Sequence, residues 1–104
     1  MATGNAPVLE ALTEINAVSL ARTELDARSL MLVRLAALVA VDAPTSSYLL
    51  HIGPSMDAGL TLRDAEDVLV AAAPIVGAPR AASAAAKISE ALDVAIEVAI
   101  DESE

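Results

Sequence analysis

Nothing constrains this 104-residue chain more than its alanines: there are 24, against one tyrosine and no phenylalanine or tryptophan. Alanine has the best helix propensity of any residue, and its small side chain lets helices approach closely. With no large rings to build around, the core falls to leucine, valine and isoleucine. The expectation is an all-α fold, a compact bundle of about five helices forming a single domain over residues 1–104. Apolar residues make up 56% of the chain, and mean hydropathy is +0.59. A domain this small buries proportionally less surface than a larger one, so apolar helix surface is left over for partner subunits. A homo-oligomer follows as an expectation.

Charge narrows the partners. Six basic residues stand against fifteen acidic ones, a formal −9. Phosphate backbones are held by clusters of lysine and arginine, and a single lysine with scattered arginines offers no such cluster. No nucleic acid and no anionic membrane is expected as a partner; the acidity serves to solubilise an alanine-rich surface. The absence of cysteine removes disulfides, thiolate nucleophiles and sulfur-ligated zinc together. The opening "MATGNAPVLE" lacks a basic stretch followed by an apolar one, so no signal peptide is expected. The most apolar run, "VLVAAAPIVGAP", is broken by prolines and falls well short of the ~20 residues that span a bilayer. The expected location is cytoplasmic.

Periodicity and punctuation give five helices. The first, 7–22, opens at Pro7, with Val8, Leu12, Ile15 and Leu20 as its stripe. Asp26 is an N-cap for the second, 27–41, which is apolar nearly all round and therefore central. Pro44 and Thr45 restart the chain for the third, roughly 45–58; Pro54 inside it predicts a kink or an early end near Ile52, and Gly59 suits the C′ position. Thr61 with Asp64 approximates a capping box for the fourth, and Asp64, Glu66 and Asp67 favour the positive end of its dipole. Gly77 ends that helix after a bend near Pro74, and Pro79 opens the last, whose acidic end "DESE" is expected to fray.

His51 is the one histidine. On a helix it shares a face with Ser47 and Tyr48 one turn earlier, and with Ser55 one turn later if the helix survives Pro54. A hydroxyl beside an imidazole suits a nucleophile and its base, or a proton relay; it equally suits a hydrogen-bonded structural histidine. No metal site is expected, because a lone histidine has no second one at ligand spacing, and no cofactor is indicated. Arg34, isolated on an apolar helix, is expected to pair with a carboxylate or to hold an anionic substrate; Met31 and Met56 are expected to fill core.

The spacing of these marks resembles a known family. His51 is followed eight residues later by Gly59, then by Thr61 and the run Asp64-Ala65-Glu66-Asp67; Gly77-Ala78-Pro79 lies eighteen residues after Gly59. Over residues 25–92 the chain resembles the carboxymuconolactone decarboxylase and alkylhydroperoxidase D-like family. That resemblance implies an all-helical fold assembling into trimers, hexamers or related rings, with sites near subunit interfaces. In the peroxidase-like branch a C-x-x-C pair precedes the histidine; the matching positions are Pro44 and Ser47, and the relay glutamate falls near Leu32. None of these can do thiol chemistry. In the decarboxylase branch His51 stands where a histidine is expected, while a further histidine aligns with Ala71, and Arg34 and Arg80 are the candidates for holding acid groups. The resulting expectation is acid/base chemistry on a lactone or carbonyl compound, with His51 as acid/base and Ser47 and Tyr48 as its partners. The pocket would be lined from helices two and four and would take a small-molecule ligand. The alternative is an oligomeric scaffold that kept the fold and lost the site.

Overall fold

The computed structural model describes residues 2–103, with side chains from Ala6 onward. It contains α1 (Ala2–Arg22), α2 (Ala27–Ala40), α3 (Thr45–Asp57), α4 (Leu62–Val76) and α5 (Ala78–Ser103). No strand occurs among the described residues, and none of their helices is long and apolar enough to cross a membrane. The fold is all-α.

The caps read from the sequence are in place. The Asp26 carboxylate accepts the Ser29 N–H at 2.7 Å, opening α2. Thr61 and Asp64 exchange side-chain and backbone bonds as a full capping box at the start of α4. Between α3 and α4 the chain reverses through Gly59, at φ +87°. There the Leu60 N–H reaches the Ser55 carbonyl at 2.9 Å and the Gly59 N–H reaches that of Met56 at 3.0 Å, the paired bonds of a Schellman end.

Two expectations about helix ends are corrected. α1 begins at Ala2 and carries Pro7 inside it rather than at its start. Near an N-terminus a proline forfeits only one intrahelical bond, and the alanine-rich chain continues through it. α3 runs past Pro54 to Asp57 rather than ending early near Ile52; the carbonyl that a Pro54 N–H would have bonded belongs to Leu50, an exposed residue. At the acidic end α5 is helical to Ser103, whose hydroxyl donates to the Ile100 carbonyl at 2.8 Å.

Helices α2 to α5 form the body, with α3 against α5, α2 against α4 and α4 against α5. The core is built from Val39, Ala43, Tyr48, Ala84 and Ala91, ringed by leucine and isoleucine; alanine at 84 and 91 is what lets α5 lie close. At the end of α2, Asp42 accepts from Ser83 at 2.8 Å and from Lys87 at 3.0 Å, while Arg80 donates to the Ala40 carbonyl at 2.7 Å. Those bonds pin α5 to the end of the central helix.

α1 stands apart. Among the described residues no other helix packs along it, and Val8, Leu9, Leu12, Ile15, Val18 and Leu20 are each 47–65% exposed. Arg34 of α2 bonds to it, donating to Asn16 at 2.7 Å and Ser19 at 3.0 Å. Within the chain Arg34 meets neither a carboxylate nor the cavity, so the expected internal ion pair is not formed. Met31 is buried as expected, but Met56 is 67% exposed and is no core filler.

Candidate functional site

The site is built on one face of α3. Tyr48, His51, Ile52 and Ser55 recur at helical spacing, and because α3 continues through Pro54 they stay on a single face. Along this face lies a cavity of about 300 Å³, at the lower end of the range for small-molecule sites. α2 contributes Leu35; α4 contributes Leu62 and Ala65; the α3–α4 reversal contributes Leu60 and Thr61. The far wall is Ile88, Ala91 and Leu92 of α5. Met56 and Leu62, both exposed, stand at its mouth.

Polar groups in this wall are few. The His51 ring is half-buried, and its Nδ1 lies 2.8 Å from the Ser47 carbonyl. A carbonyl can only accept, so Nδ1 carries the hydrogen and, in the neutral ring, Nε2 keeps its lone pair. Ser47 thus meets His51 through its backbone; its hydroxyl is not part of the wall. Tyr48 is 3% exposed, and its hydroxyl is buried with no hydrogen-bond partner among the described residues. A buried hydroxyl left so costs about 1–3 kcal/mol. Burial pushes the Tyr48 phenol above its usual range, and the charge of Asp42 adds to this, so the hydroxyl keeps its proton and can donate. The Thr61 hydroxyl is already engaged, accepting the Asp64 N–H at 3.2 Å and bonding its carboxylate at 3.1 Å.

The rim is held by charge. Arg28, from the first turn of α2, grips Asp64 with two bonds of 2.6 and 3.1 Å and reaches the Gly59 carbonyl at 3.3 Å. The same carboxylate accepts the Thr61 N–H at 2.8 Å. The Arg28 guanidinium, with Thr61 behind it, holds the Asp64 carboxyl well below the usual carboxylate range. Arg63 pairs with Asp67 at 3.2 Å, and Lys87 pairs with Asp42 at 3.0 Å. No lysine or arginine lines the cavity, and Arg34 and Arg80 are both committed elsewhere.

Residues 6–96 match the profile of the carboxymuconolactone decarboxylase family. The chain belongs to that family. Neither a curated protein nor a solved structure matches it. As a carboxymuconolactone decarboxylase family member it lacks cysteine altogether. Of the positions where the peroxidase-like branch would carry its chemistry, Pro44 is the N-cap of α3 and Leu32 does not line the cavity. Ala71, aligned with a second histidine, is exposed on α4 and away from the cavity. The sequence reading of this family member placed the wall on helices two and four and missed α5. The stripe Ile88–Leu92 was legible as an apolar face, but nothing local said which neighbour it meets.

Proposed function

We propose that this carboxymuconolactone decarboxylase family member binds a small molecule in the α3 cavity and performs acid/base chemistry on a lactone or carbonyl group. Nε2 of His51 is the base that takes a proton from a carbon beside the carbonyl. A hydroxyl of the α3 face, from Tyr48 or Ser55, donates a hydrogen bond to the carbonyl oxygen as negative charge develops there. Protonation of the resulting enolate at another carbon by the same imidazole completes an isomerisation without any other reactant. The observation that carries this reading is His51 in the cavity wall, with Nδ1 engaged by the Ser47 carbonyl and Nε2 left as the base. α-Angelica lactone, a small lactone whose double bond shifts by such a proton transfer, is the test substrate. The purified protein is expected to speed its conjugation, and His51→Ala to lower the rate by 10²–10⁴-fold with an unchanged helical circular-dichroism spectrum. Equal rates with and without the protein would discard the reading.

The assembly belongs to the same proposal: the working form is a homo-oligomer, a trimer or hexamer, in which α1 packs on a second copy. α1 favours it, because a helix with apolar side chains over much of its circumference is not stable alone in water. A second reading, an oligomeric scaffold without turnover, draws on that same exposed helix. His51→Ala separates the two, since a scaffold loses nothing with the imidazole.

A further inference from the structure

The cavity wall says what kind of molecule it can hold. This rests on the cavity being a ligand site, as proposed above. Its lining is aliphatic apart from Tyr48, His51, Ser55 and Thr61, and Thr61 is already bonded to Asp64. No lysine or arginine is among them. Of the six basic residues, Arg28, Arg34, Arg63, Arg80 and Lys87 each have a partner elsewhere, and Arg22 lies in the last turn of α1, away from the wall. A carboxylate placed here would lose its water without meeting a lysine or arginine. The formal charge of −9 repels an anion before it arrives.

We infer that the cavity selects uncharged ligands: a compact, mainly aliphatic lactone or ketone with one hydrogen-bond acceptor, and not the carboxylated lactone that the family's name denotes. Its volume of about 300 Å³ is at the lower end for small-molecule sites, which favours a small ligand. The aliphatic part lies against Leu35, Ile88 and Leu92; the acceptor is at the α3 face.

The experiment compares two forms of one skeleton. A butenolide carrying a carboxymethyl group, and the methyl ester of that acid, differ in charge and little else. Binding of each to the purified protein is measured by ligand-observed NMR at neutral pH, apart from any turnover. The ester is expected to bind at least tenfold tighter than the carboxylate. Leu62→Arg, which puts a cation at the exposed mouth, is expected to narrow that ratio at least tenfold, by strengthening carboxylate binding. A carboxylate that binds the wild type as tightly as the ester overturns the inference, and so does failure of both to bind. An ester that binds but is never isomerised leaves the selection standing and removes the acid/base chemistry instead.

Discussion

A phenol hydroxyl with no partner is a cost the folded chain carries at Tyr48, and its removal has two opposed consequences. Tyr48→Phe takes away the orphaned group and keeps the ring, so the unliganded protein is expected to gain up to about 1 kcal/mol in chemical denaturation. The same change is expected to weaken lactone binding about tenfold. A variant that loses stability and binds unchanged would mean that the hydroxyl serves the core. The neighbouring histidine shows how a residue's role escapes its sequence. The spacing of Ser47 and His51 was legible, and it suggested a hydroxyl contact; the bond is to the Ser47 backbone carbonyl, because an imidazole leaning back along its own helix meets the i−4 carbonyl first. Arg34 escaped in another way. Its partners, Asn16 and Ser19, are neutral, and no charge pattern points to them.

Among the elements, the reversal from α3 to α4 carries the most chemistry for its length. Gly59 sits at φ +87° with open space where a Cβ would go, so Gly59→Ala costs backbone strain and no clash. The expected loss is about 1–2 kcal/mol, read by urea denaturation. Asp64 gives this turn a pH dependence. Its folded pKa is lowered by Arg28 and Thr61, so the stabilisation is fully present above the unfolded value of about 4 and is lost as pH falls toward the folded one. Asp26 and Asp42, lowered by Ser29 and by Lys87, act in the same direction. The melting temperature is expected to fall steadily below pH 4, less steeply in Asp64→Asn, which starts lower at pH 7. A melting temperature unchanged down to pH 2 would contradict this. Caps and glycines made these boundaries legible, because each is a local exchange of hydrogen bonds. Pro54 alone does not fix the end of α3: the helix span of roughly 45–58 was legible, while the early end near Ile52 does not occur, because whether a proline ends a helix depends on where the freed carbonyl lies.

For the whole molecule the exposed surface is the telling quantity. At 10.6 kDa a compact monomer exposes about 5,500 Å², and this chain exposes 7,119 Å². Its radius of gyration is 14.8 Å, against about 13 Å for a compact chain of this length. The excess, about 1,600 Å² by the same scaling, is about twice what each partner buries in a standard interface of roughly 800 Å² a side. Sedimentation equilibrium is expected to give a multiple of the chain mass, and Leu12→Glu with Ile15→Glu to return it to the monomer without loss of the α2–α5 body. A wild-type monomer throughout the micromolar range would remove the assembly. Composition announced unused apolar surface; that it gathers on α1 followed only from the packing, since the stripe of α1 reads like that of any buried helix. The same composition has an optical consequence. With one tyrosine and no tryptophan, the near-ultraviolet absorbance and the intrinsic fluorescence of the entire protein come from the single phenol in the cavity wall. Occupancy of the cavity is therefore visible without a label, as a change in the only chromophore the chain has.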